Sequence, residues 1–202
     1  TALNFRAGGE FRSGSNGGTP ATFASFAYVG VMSDNPFFGS PSSNGGTPRK
    51  IVGNGTVNTV VKDESGQQRL LSAPEAPENL FMDYGTGQLL NGSTKITLDP
   101  IFSKNIIVSE KHPLRVFVQL EGDCNGVYIT SKSQNGFEVV ELMNGNSNVS
   151  FTWHVVANRA DDTAEDGTKL FFADERFPIF SGPSTYTVKK VLKEDSPKLI
   201  TK

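Results

Sequence analysis

The chain has 202 residues, is 36% hydrophobic, holds 21 glycines and 15 phenylalanines, and carries a formal charge of −2. It is therefore poor in aliphatic core formers and rich in turns, and it lacks the basic excess expected of a nucleic-acid surface. No apolar run reaches the length of about 18 residues that a membrane-spanning helix needs, and the single cysteine, Cys124, excludes an internal disulfide.

The sequence begins at Thr1 without Met, as expected of a processed or excised piece of something longer. Residues 1–72 read as a Gly/Ser/Asn-rich β-region. The hexapeptide Ser-Asn-Gly-Gly-Thr-Pro occurs at Ser15–Pro20 and again at Ser43–Pro48, with a strand-like core, Phe23–Val31, between the copies. Two copies do not make a repeat architecture, and two similar loops at one sheet edge are the plainer reading. Thr56–Lys62 and Gln68–Ser72 flank Asp63-Glu64-Ser65-Gly66 as a hairpin. Pro74 and Pro77 then remove two backbone donors and favour extended chain, which places a boundary near residue 73.

Residues 73–159 read as an antiparallel, β-sandwich-like module. Leu80–Gln88 and Ser93–Leu98 are predicted strands around an Asn91-Gly92 turn. Asp99-Pro100 stops the second, and one short helical turn fits within Ile101–Val108. Four apolar runs follow: Leu114–Leu120, Val127–Ser131, Phe137–Leu142 and Val149–Ala157. The last alternates cleanly, with Val149, Phe151, Trp153, Val155 and Ala157 on one face and Ser150, Thr152, His154 and Val156 on the other. That period of two marks a strand with one buried face, and it predicts a buried Trp153. Asn125-Gly126 and Asn135-Gly136 precede two of the runs and supply the φ > 0 of tight hairpins, so the four runs predict a meander. Residues 160–202 read as an acidic loop and an extended C-terminal arm with one strand, Tyr186–Leu192. The fold class is all-β.

Chemistry is sparse. His112 and His154 have no partners at metal-ligand spacing, so no metal and no cofactor is expected. The cluster Asp161, Asp162, Glu165 and Asp166 lacks the ligand alternation of a calcium loop. Glu121 and Asp123 stand at a strand end, where two carboxylates can hold a cation or a sugar hydroxyl. With Asn125, Asn146 and Asn148 they are the candidate ligand-binding residues, and a polar turn is the plainer alternative. No nucleophile elbow, phosphate loop or spaced triad is visible. The chain is therefore expected not to be an enzyme. A rival reading, a glycan-active enzyme, would draw its carboxylates from Glu121, Asp123, Glu138 and Glu141.

A family resemblance adds to this. Pro74-Glu-Ala-Pro-Glu78, Asp83-Tyr-Gly-Thr-Gly-Gln-Leu89, Asn91-Gly92, Leu98-Asp-Pro100, Val116-Phe-Val-Gln-Leu-Glu-Gly-Asp-Cys-Asn-Gly-Val-Tyr128, Gly136-Phe-Glu-Val139, Gly145-Asn-Ser-Asn148 and Val155-Val-Ala-Asn-Arg159 together resemble a C-terminal β-module of bacterial surface and phage tail-fibre-like proteins. The strand–Gly-Phe-x-Val–strand–x-x-Trp pattern is more distantly similar to trimeric lectin-type fibre-tip domains. These resemblances imply an extracellular, cell-surface or virion location, a structural and adhesive role, and a glycan or cell-surface receptor as partner. They supply no catalytic residues.

Small β-units with many aromatics and open edges are also expected to associate, most simply as a homotrimer. The apolar residues of the arm, Phe171, Phe172, Phe177, Phe180, Tyr186 and Val188, are the candidate contacts. A further alternative is a filament or capsid-like subunit whose arm donates a strand to its neighbour.

Overall fold

The computed structural model describes residues 9–13, 25–34 and 46–178. Strands dominate: β1 (Gly9–Ser13), β2 (Ser25–Asp34), β3 (Gly46–Gly53), β4 (Asn58–Lys62), β5 (Gln68–Ser72), β6 (Leu80–Gln88), β7 (Ser93–Thr97), β8 (Ile106–Ile107), β9 (Arg115–Leu120), β10 (Val127–Ser133), β11 (Gly136–Glu141), β12 (Ser150–Arg159), β13 (Asp162–Thr163) and β14 (Lys169–Leu170). Among the described residues, one α-helix, α1 (Pro100–Lys104), and a short 3-10 turn, Leu142–Asn144, interrupt them. α1 starts where the Asp99 carboxylate accepts the Ile101 N–H at 2.7 Å, with Pro100 in its first turn. The all-β class read from the sequence is the observed one.

The described strands fall into four sheets. β12 is the centre of one: it pairs with β6 from Ser150↔Gln88 to Asn158↔Leu80. Its other edge pairs with β9 from Phe151↔Leu120 to Val156↔Arg115 and then with β8. A second sheet has the order β10-β11-β7. Both sheets contribute to one buried cluster. Phe137 and Val139 come from β11, and Phe151, Val155 and Ala157 from β12; Leu89, Leu98, Ile106 and Leu114 come from the connections and β8.

This topology corrects the meander. The four predicted runs are all strands, but β9 and β12 lie in one sheet and β10 and β11 in the other. Gly126, at φ 88, turns the chain from the first sheet into the second rather than closing a hairpin. The Asn91-Gly92 turn does have the expected form. Its φ values of 51 and 84 and the reciprocal Leu90–Ser93 bonds make a primed turn. It too passes from one sheet to the other.

The second hexapeptide copy is not simply a loop, because Gly46, Thr47 and Pro48 belong to β3. β3 pairs with β2, and through Leu170↔Gly46 it pairs in parallel with β14. The start of the C-terminal arm therefore lies on its own chain. Thr47 Oγ donates to Phe171 O at 2.7 Å, and Glu175 pairs with Arg49. The Phe177 N–H donates to Pro77 O at 2.8 Å, and Arg176 pairs with Glu78 at 2.8 Å.

Phe172, expected at a subunit contact, is instead 2% exposed inside the chain. The Arg159 guanidinium stacks over its ring at 3.5 Å, and one Asp161 oxygen accepts the N–H groups of both Phe172 and Ala173. Phe171 and Phe177 remain exposed. Phe180, Tyr186 and Val188, and the predicted strand Tyr186–Leu192, lie outside the described residues.

Candidate functional site

Of the predicted ligand-binding residues, the fold draws some together at one loop end, but around a carboxylate that is already engaged. Glu141 ends β11 and is buried. Its Oε1 accepts the backbone N–H of Asn125 at 3.0 Å and the Asn125 amide at 3.2 Å, and its Oε2 accepts the Ser147 N–H at 2.8 Å. Asn148 Oδ1 accepts the Asn91 N–H at 3.0 Å, which adds the 90–93 turn to the group. Asp123 and Asn146 are exposed, and Glu121 contributes its backbone N–H to Ser150 O. The cluster is a loop clasp: the Asn125 amide is spent on the Glu141 carboxylate and Asn148 Oδ1 on the Asn91 backbone.

Glu138 and Glu141 stand on opposite faces of β11, because side chains alternate along a strand. Glu138 accepts from Ser131 at 3.1 Å. These two carboxylates therefore do not face one another as an acid/base pair.

The Asn125 N–H, and then the Ser147 N–H, hold the Glu141 carboxyl below the usual glutamate value of 4.5. A depressed folded pKa means that this group's contribution to stability is complete above the unfolded value. It is lost as pH falls through the folded one. Glu141→Gln is therefore expected to lower stability at neutral pH and to flatten the acid limb of the stability–pH curve. Urea titrations at pH 7 and below pH 4 check this. An acid limb identical to that of the parent would show that the clasp does not depend on the charge.

A second polar group was invisible in the sequence. His112 is buried, its Nε2 lies 2.8 Å from Asp174 Oδ1, and its Nδ1 lies 3.2 Å from Ser109 Oγ. With the proton on Nε2, serine, imidazole and carboxylate form a hydrogen-bonded chain in the order of a nucleophile, base and acid. Local bonds give it another purpose. Ser109 Oγ also accepts the His112 backbone N–H at 3.1 Å, closing its own turn, and Lys111 reaches the same Asp174 oxygen at 2.6 Å. Lys111 first, then His112, holds the Asp174 carboxyl below its usual value. The arrangement pins the segment around Asp174 to the loop before β9. No signal in the sequence joins Ser109 to Asp174, because the contact depends on the chain after β14 folding back.

The outer face of the β6–β12–β9 sheet is different in kind. Alternation turns Met82, Tyr84 and Thr86 of β6, Thr152, His154 and Val156 of β12, and Arg115, Phe117 and Gln119 of β9 away from the core. Register sets them in rows, Thr86–Thr152–Gln119 beside Tyr84–His154–Phe117. Tyr84 is 79% exposed and Phe117 58%. His154 stacks on Phe117 with ring centroids 5.9 Å apart. An open depression of about 450 Å³ is lined by these two rows together with Gly85, Val118 and Trp153.

Trp153 is less buried than the alternation predicts. It does lie on the core side of β12, edge-on to Phe137 at 5.8 Å, but it is only half-buried. The cross-strand residue is Gly85, so the indole lies across bare backbone, and its Nε1–H donates to Thr86 O at 3.2 Å. A Cβ at Gly85 would come within 2.5 Å of the ring. The outward half of the Val149–Ala157 alternation already pointed to His154. Its neighbours Tyr84 and Phe117 needed the strand pairings.

Among the described residues, no group of three or more His, Cys, Asp or Glu is placed to hold a metal ion. Among them, too, no helix is long and apolar enough to cross a membrane. No family model, curated protein or solved structure matches the chain.

Proposed function

We propose that this chain is a structural and adhesive β-module of an extracellular fibre or surface appendage. It acts as an oligomer and engages glycan through the outer face of the β6–β12–β9 sheet. The observation that carries the reading is the exposed Tyr84–His154–Phe117 row beside the polar Thr86–Thr152–Gln119 row on the same face. Aromatic faces receive the C–H faces of sugar rings. Thr86, Thr152, Gln119 and His154 supply neighbouring donors and acceptors for hydroxyls. The depression is shallow and open, which suits a chain lying across a strand surface better than a small molecule enclosed on all sides.

The test is a glycan-panel binding assay with Tyr84→Ala and Phe117→Ala. Each is expected to weaken binding by up to about tenfold, since an aromatic contact contributes roughly 0.5–1.5 kcal/mol beyond its buried area. Melting should stay near that of the parent, because both rings are exposed. A panel with no binder, or binding unchanged in both variants, defeats the reading. Covalent labelling of Ser109 by a fluorophosphonate would favour an acyl-transfer enzyme instead.

A further inference from the structure

Residues 171–177, just after β14, are held to the rest of the chain mainly by polar groups. The Phe171 carbonyl accepts the Thr47 hydroxyl, and the Phe172 and Ala173 N–H groups share one Asp161 oxygen. The carbonyls of Phe172 and Ala173 accept from the Asn79 and Asn158 amides at 3.2 and 3.4 Å. Asp174 receives Lys111 and His112, Glu175 receives Arg49, and Arg176 reaches Glu78. The Phe177 N–H closes the segment on Pro77 O. Of these residues Phe172 and Ala173 are the buried pair. The segment lies as a strap fastened at four carboxylates: Glu78 and Asp161 on the body, Asp174 and Glu175 on the strap.

Two of the fastenings are each shared by two basic groups. Glu78 Oε1 accepts from Arg176 at 2.8 Å, and its Oε2 accepts from Asn158 at 3.0 Å and from Arg115 at 3.3 Å. Asp174 Oδ1 lies 2.6 Å from Lys111 Nζ and 2.8 Å from His112 Nε2. Protonating either carboxyl removes a counter-charge from between two groups that then repel: Arg115 and Arg176 about Glu78, Lys111 and a protonated His112 about Asp174. Arg49 from β3 and Arg159 from β12 also face the strap and add to the positive charge around it.

We propose that residues 171–177 form an acid-released strap, which lets go of the body as Glu78 and Asp174 take up protons while the core between the two sheets stays folded. The Asn158 amide first, then Arg176 and Arg115, hold the Glu78 carboxyl below its usual 4.5; Lys111 first, then His112, hold Asp174 below 3.8. A carboxyl depressed in the folded state contributes fully above its unfolded value, and that contribution is lost as pH falls through the folded one. Release therefore belongs to the range below pH 4.5. Glu78 is the stronger fastening, since its side chain is 12% exposed, whereas that of Asp174 is 67% exposed and screened by solvent. A protonated His112 pulls on Asp174 for as long as that carboxylate is charged, so the imidazole delays release rather than causing it. Opening is local because few apolar contacts hold the strap, and such segments open at less than the global cost.

Hydrogen exchange on the full chain, read as protection factors, is the test. In the parent, protection at Phe172, Ala173 and Phe177 is expected to fall by roughly tenfold or more relative to Phe151 and Val155 of β12 between about pH 7 and about pH 3.5, tenfold being the factor for a carboxyl pKa about one unit below its unfolded value. Glu78→Gln is expected to show weakened strap protection already at neutral pH, a smaller acid response, and parent-like protection in β12. Strap protection that holds in acid overturns the proposal. So does a strap that loses protection only together with β12, or a Glu78→Gln variant whose β12 is unprotected at neutral pH, since the strap would then be no separate unit. A variant with the parent's full acid response overturns it too, because Glu78 would not be the group that titrates.

Discussion

Phe151→Ala is expected to lower stability by about 3–5 kcal/mol, as for large aromatic truncations in a packed core. Phe151 is fully buried on the central strand of its sheet. Its ring lies across Gly87 of β6 and beside Ile96 of β7, where a Cβ built on Gly87 would come within 2.5 Å of the ring and 3.0 Å of Ile96. The side chain therefore fills space that belongs to both sheets. Truncation leaves a hole that neither sheet can close without shifting a whole strand. Urea unfolding checks it: the midpoint should fall while the slope stays constant. Trp153→Ala should cost less, because the indole is half exposed and has glycine as its neighbour. A larger loss for Trp153→Ala than for Phe151→Ala would contradict the assignment of the core.

Gly92→Ala is expected to cost about 3 kcal/mol, combining a residue held at positive φ with an overpacked contact. Gly92 sits at φ 84, and a Cβ there would fall 1.9 Å from the carbonyl oxygen of Gly145. That oxygen is backbone and cannot swing aside as a side chain would. The Gly92 N–H also donates to Ser147 O at 2.9 Å, and the Gly92 carbonyl accepts the Glu141 N–H at 2.7 Å. The substitution thus pushes the 145–148 loop off the clasp around Glu141. Thermal melting measures the loss, and hydrogen exchange at Asn125 and Ser147 should rise with it. An unchanged melting temperature would show that the two loops do not meet as described.

These sites also show what a one-dimensional reading can reach. Alternation in Val149–Ala157 marks β12 and its buried face, since the period of a strand is written in its own residues. Asn91-Gly92 marks its turn for the same local reason. Partner choice is different, because nothing within Leu114–Leu120 says that it pairs with Val149–Ala157 rather than with the run that follows it. Glu141 reads as a carboxylate available for chemistry, and only the approach of two loops buries it and supplies its donors. Phe172 reads as an oligomer contact of an arm until Arg159 and Asp161 are seen to hold it. The Tyr84–His154–Phe117 row exists only once three strands from separate parts of the chain are in register.

The central place of β12 bears on how the molecule forms during synthesis. The β10–β11 pair is local and closes as soon as both strands leave the ribosome. β6 and β9, made earlier, must wait for β12 before their sheet exists, so they emerge as unpaired edges with apolar faces. Long-range pairing of this kind is slow and exposes aggregation-prone surface in the interval. A nascent chain stalled just before Ser150 would hold every strand of the second sheet and none of the pairings of the first. The exposed edges therefore belong to the interval between the synthesis of β9 and that of β12, which is where a holding chaperone would act.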